Sequence, residues 1–143
     1  MPRPPVLLLL VGVLSASSGC ATLADARAAK GTGLARIYPA SREAVWKAVP
    51  DVLSDLKLTL VKEDSAEGCF LAENGWSGFS YGERVAVFVD AMNGEPGTRV
   101  EVVSKRVLAT TVFGPDWQSP ILDKLDEKLR FDSTSPAAPI PGS

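Results

Sequence analysis

The sequence predicts an α+β domain, a two-layer sandwich of order β-α-β-β-β-β-α with helices on one face of an antiparallel sheet. Three observations carry that prediction. Residues 81–90 alternate, with Tyr81, Glu83, Val85, Val87 and Val89 on one side and Arg84, Ala86, Phe88 and Asp90 on the other. A turn at 93–97 and a second alternating run at 98–104 complete a hairpin. Finally, segments 41–56 and 116–130 repeat their apolar residues at helical spacing and flank the strand-rich middle. The folded part is expected to span residues 33–131.

Taken in order, residues 33–38 read as a first strand stopped by Pro39. Ser41 is placed to cap a helix, and Glu43 in its first turn suits the helix dipole. Val45, Trp46, Val49, Val52, Leu53 and Leu56 then form one apolar face. Pro50 falls inside this pattern, and because the apolar phase continues past it, a kink is expected rather than two separate elements. Residues 58–61 and 68–73 pair across a polar turn at 63–67, and the segment 74–78 breaks the second of these runs. Residues 107–112 offer a continuation of the sheet. Asp116 is placed to cap a last helix, where Pro120 is tolerable in the first turn because its missing N–H would have no partner there. Trp117, Ile121, Leu125 and Leu129 recur at four-residue steps along it. Trp46 and Trp117 lie on apolar helix faces and read as core residues.

Residues 1–19 read as an export signal. Arg3 and the amino terminus are positive, residues 6–14 are apolar, and residues 15–19 are small. The apolar run is too short to cross a bilayer as a helix, which takes roughly 20 residues. Cys20 follows, and Ser17-Ser18-Gly19-Cys20 resembles a bacterial lipobox, with Ser17 where that motif usually has an aliphatic residue. On this reading cleavage leaves Cys20 as the mature, acylated N-terminus. The alternative is an ordinary signal cut nearby, which leaves an unlipidated chain in which a Cys20–Cys69 bridge is possible. Residues 20–32 read as a lipidated tether that would hold the domain up to about 40 Å from the membrane at 3.3–3.6 Å per residue. Residues 132–143, with Pro136, Pro139 and Pro141, read as a disordered tail.

The bulk properties exclude several classes. The formal charge is −2, with no basic block, which gives no footprint for nucleic acid. Nor is there a polybasic patch for anionic lipid, so membrane residence would have to come from the acyl chains. The chain contains no histidine. That removes His-based triads, most catalytic zinc sites and the commonest base at neutral pH. Catalytic residues, a metal and a cofactor are all expected to be absent. A burial-tuned carboxylate or lysine lacks a marked position, and Cys69 beside Phe70 and Leu71 is expected to be buried and inert.

At Phe113-Gly114-Pro115-Asp116-Trp117-Gln118-Ser119-Pro120-Ile121-Leu122 the chain resembles the end of a family of small, mostly uncharacterised bacterial lipoproteins. These share a lipobox, a strand, a helix with an aromatic and alanines (here Val45-Trp46-Lys47-Ala48), an antiparallel sheet, and a Phe-Gly-Asp segment before a final helix. Pro115, between Gly114 and Asp116, departs from that pattern. More distantly, the order resembles the helix-grip domain of BamC-type outer-membrane lipoproteins. The resemblance supplies no catalytic residues. Ala21 rather than aspartate after Cys20, by resemblance to enterobacterial sorting, implies an outer-membrane destination on the periplasmic face of a Gram-negative envelope.

Trp76, Phe79 and Tyr81 sit in the glycine-rich stretch 75–82. They are the candidate platform for a partner, since aromatic residues dominate interface hot spots. The competing expectation is that they fold back and seal the end of the core. Glu63, Asp64 and Glu67 read as a solvated turn, and Lys105-Arg106 as an exposed strand end. Two function classes follow. One is a lipid-anchored structural or interaction module with an envelope protein as its partner. The other is a carrier of a small lipid-like ligand, which would need a cavity lined by Val49, Leu53, Val87 and Val102.

Overall fold

A computed structural model describes residues 22–75, 82–107 and 115–134. The elements run α1 (Leu23–Ala28), β1 (Leu34–Tyr38), α2 (Arg42–Asp55), β2 (Thr59–Asp64), β3 (Cys69–Asn74), β4 (Glu83–Ala91), β5 (Thr98–Arg106) and α3 (Gln118–Thr134). From β1 to α3 this is the expected α+β order. The five strands form one sheet of order β1-β5-β4-β3-β2, and every pairing is antiparallel. One end of the sheet carries the aligned residues Asn74, Glu83 and Arg106, and the other carries Ala91, Thr98 and Tyr38.

Helices α2 and α3 cover one face. Val45, Ala48, Val49, Val52 and Leu53 project from α2, and Ile121, Leu122 and Leu125 from α3. They meet Phe70, Ala72, Val85, Val87, Val89, Val100 and Val102 in one contiguous core. Ser41 caps α2 as expected, its hydroxyl accepting from the Ala44 N–H at 3.2 Å. The helix runs through Pro50 as a single element. Burial of Val45, Val49, Val52 and Leu53 on both sides of the proline outweighs the one missing N–H. Asp116 sits at the start of α3, where its carboxylate accepts from the Gln118 N–H at 3.1 Å. Across the layer, the Tyr38 hydroxyl donates to the Leu122 carbonyl at 2.9 Å. Arg36 of β1 pairs with Asp123 at 3.1 Å and with Asp126, both on α3. Trp46 and Trp117 are partly buried against this core.

The opposite face differs from expectation. Part of the segment expected as a tether, residues 22–32, is a short helix and a turn docked on the sheet. Thr22 and Asp25 cap α1 reciprocally: the Thr22 N–H donates to Asp25 Oδ2 at 2.6 Å, and the Asp25 N–H to Thr22 Oγ1 at 3.2 Å. Ala26 is fully buried among Cys69, Leu71, Ala86, Phe88 and Val103, with Leu23 and Ala29 packed alongside. This cover explains why Ala86 and Phe88, on the side of β4 expected to face water, are buried. A side chain on Gly33 would run into the Val102 carbonyl oxygen, so the chain enters β1 only because that residue has none. At the far terminus, α3 continues past Phe131 to Thr134, where the expected tail was to begin. Residues 135–143 lie outside the described residues.

Candidate functional site

The four residues expected to carry function, Cys20, Trp76, Phe79 and Tyr81, lie outside the described residues. Their flanks do not. Asn74 and Glu83 face each other in register at the ends of β3 and β4, so the 75–82 connection leaves and re-enters at the Arg106 end of the sheet. Its base is fixed by a buried carboxylate. Glu83 is 1% exposed, and its Oε2 accepts from Asn74 Nδ2 at 2.8 Å and from Trp117 Nε1 at 3.4 Å. One carboxylate therefore joins the end of β3, the start of β4 and the entry to α3. Gly82 lies beside it at φ +92°, a conformation that L side chains rarely adopt. Sequence reading placed Glu83 on the valine face of its strand, but nothing in a lone glutamate marks the convergence of Asn74 and Trp117 on it.

A second polar site holds α1 in place. Glu101 is 1% exposed on β5, and its Oε1 accepts from the Gly33 N–H at 3.0 Å and from the Gly31 N–H. Its Oε2 accepts from Arg99 at 2.9 Å. Burial alone would raise this carboxyl, but the Gly33 amide, the Arg99 guanidinium and the Gly31 amide together hold it below the ordinary range. At the far side of α1, Arg27 pairs with Glu67 and, at 3.5 Å, with Asp64. Lys30 pairs with Asp90 at 2.8 Å and lies 5.1 Å from the centre of the Phe88 ring. The acidic turn expected to be merely solvated thus serves as the latch for Arg27. Glu63, the third carboxylate of that group, lies in β2 and accepts from Trp46 Nε1 at 2.7 Å.

The residues that a carrier would use are packed. Val49, Leu53, Val87 and Val102 are each at most 1% exposed and belong to the same core cluster. Clefts lie elsewhere. One of about 290 Å³ runs between Tyr38, Pro39, Ala40 and Leu129, with Asp126 and Arg130 also lining it. A more open one of about 440 Å³ is lined by Asp123, Asp126, Glu127 and Arg130 on α3. Among the described residues, no group of three or more His, Cys, Asp or Glu side chains could hold a metal ion.

Cys69 is a free thiol, 1% exposed, and burial pushes its pKa up to about 11. Iodoacetamide at neutral pH is therefore expected to leave it unmodified in the folded protein and to alkylate it fully in denaturant. Rapid labelling of the native chain, followed by intact mass, would count against the burial described here.

No family model matches the chain, and no curated protein matches it. Among solved structures, the crystal structure of Ara h 8.0201 is similar over 68% of this chain and 95% of its own. The identity is 10% and the TM-score 0.40.

Proposed function

We propose that this chain is a lipid-anchored module on the periplasmic side of a Gram-negative outer membrane, which works by binding another envelope protein and not by catalysis. The observation that supports a module over a carrier is the closed core. A ligand between helix and sheet would have to displace Val49, Leu53, Val87 and Val102, which are packed against one another. Trp76, Phe79 and Tyr81 are the proposed partner contacts. Their loop springs from a base fixed by Glu83, which would present any aromatic surface there from a rigid support. The absence of histidine leaves carboxylates, lysines, two phenols and, with Cys20 lipidated, one thiol for proton transfer. Burial pushes both the Tyr38 phenol and the Cys69 thiol away from neutrality, in the direction that keeps them protonated.

The anchor is the part most directly tested. Each buried CH₂ of an acyl chain contributes about 0.8 kcal/mol, and stable attachment takes more than one chain. Cys20→Ala removes the attachment point without touching the described domain. That variant is expected to leave the membrane pellet and appear in the soluble fraction, while the unaltered chain stays with the membrane and extracts into detergent. Wild-type amounts of Cys20→Ala in the pellet would overturn the lipoprotein reading. One-to-one binding of a fluorescent fatty-acid probe to the folded domain would favour the carrier instead.

A further inference from the structure

We infer that the domain stands directly on the bilayer in one orientation, with the Arg106 end of its sheet toward the lipid headgroups, so that a partner engaging Trp76, Phe79 and Tyr81 would itself lie at the membrane surface. The inference rests on the lipoprotein reading above and adds to it the surface that meets the membrane. Its first support is the length of chain left free. Thr22 already caps α1, so between an acylated Cys20 and the docked domain there is a single residue, Ala21. Two Cα–Cα steps span at most about 7 Å, which replaces the 40 Å reach of an extended tether with close contact.

The second support is that α1 is tied down along its length. Ala26 is buried, Arg27 and Lys30 pair with acids of β2, β4 and the turn after β2, and Gly31 and Gly33 donate to Glu101. A helix held by one contact would swing; this one is held from its first turn to the start of β1. Its direction then fixes where the anchor emerges. Arg27, near the end of α1, reaches Glu67, and Lys30, just past it, reaches Asp90, both toward the Thr98 end of the sheet. Asp25, in the first turn, lies in the field of Lys105, which neighbours Arg106. Thr22, and with it the link to Cys20, is therefore on the Arg106 side.

Charge runs the same way. Lys105 and Arg106 end β5 there, and Lys57 lies two residues before the start of β2 at the same end. Asp116 shares the cleft beside Lys105 and Arg106, so the patch is mixed rather than polybasic. At the Thr98 end Glu67 and Asp90 are paired with Arg27 and Lys30, so Glu95, in the turn between β4 and β5, is the acid there that anionic headgroups would repel. The lipid supplies the binding energy, and the short link with this charge difference sets which end faces down.

The two ends are about 27 Å apart, eight steps of about 3.4 Å along β4, a separation that collisional quenching resolves. Lys105→Cys and Glu95→Cys variants of the full lipidated chain would each carry a thiol-linked fluorophore, with buried Cys69 left unlabelled. Both would be reconstituted in vesicles of phosphatidylethanolamine and phosphatidylglycerol doped with a headgroup nitroxide lipid. The label at position 105 is expected to be quenched severalfold more than that at 95. Inserting a Gly/Ser linker of about ten residues after Cys20 should bring the two values together. Equal quenching in vesicle-bound protein without the insertion would overturn the orientation and leave the anchor standing. Failure of the unaltered chain to bind vesicles at all would overturn the anchor, and the orientation with it.

Discussion

Phe70→Ala is expected to destabilise the domain by about 3–5 kcal/mol, the cost of deleting a large buried aromatic from a packed core. Phe70 is fully buried near the start of β3, and its ring centroid lies 4.0 Å from that of Trp46 on α2. The substitution therefore opens a cavity between sheet and helix and frees the Trp46 ring, whose indole N–H is also tied to Glu63 of β2. Domains of this size hold only about 5–15 kcal/mol in total. With each kcal/mol worth roughly 4–8 °C in a domain of up to about 100 residues, the melting temperature should fall by at least about 12 °C. Phe70→Leu, which keeps much of the volume, should fall less. A Phe70→Ala domain that melted within a few degrees of wild type would mean that α2 is not seated on β3 as described.

Glu101→Ala is expected to release α1. The buried carboxylate collects two backbone N–H donors and a guanidinium, and its removal leaves the Gly31 and Gly33 amides without their acceptor in a partly buried turn. Each such group costs about 1–3 kcal/mol. Because these bonds act on the turn that joins α1 to β1, the effect should be local: amide exchange should quicken over residues 23–33 well before the β4–β5 hairpin is affected. Acid should do the same by titration. Glu101 is held below the ordinary carboxylate value, so its contribution is complete above about pH 4.3 and is lost as pH falls through its lower folded value. Asp25, held down chiefly by its bond from the Thr22 N–H, titrates in the same direction at the α1 cap. Glu101→Gln isolates the larger share: its α1 exchange should already be fast at neutral pH and should change less on acidification. Identical exchange in the variant and wild type would show that α1 does not depend on this carboxylate.

The parts of the structure legible in the sequence are those with a strong period. The 85–89 and 100–102 valines announced the central hairpin, and the Val45–Leu53 and Ile121–Leu125 spacings announced the two helices that cover it. What escaped was short or two-sided. Helix α1 has only six residues, too few for a period to register, and its alanines read equally well as linker. Its signals were the Thr22–Asp25 capping pair and Phe88, a large apolar residue on the side of β4 expected to be wet. Glu83 and Glu101 escaped for another reason. A buried carboxylate is made acceptable by partners far away in sequence, Trp117 for one and Gly31 and Gly33 for the other. The candidate site was legible only as composition: a cysteine after a small-residue stretch, and aromatics among glycines.

The lipoprotein proposal stands or falls on the removal of residues 1–19 and the lipidation of Cys20. Intact mass of the protein extracted from membranes, followed by tandem fragmentation of the N-terminal peptide, tests it most directly. The expected result is a mature chain beginning at Cys20 and heavier than residues 20–143 by the mass of more than one acyl chain. A mature chain with unmodified Cys20, or one bridged to Cys69, would contradict it.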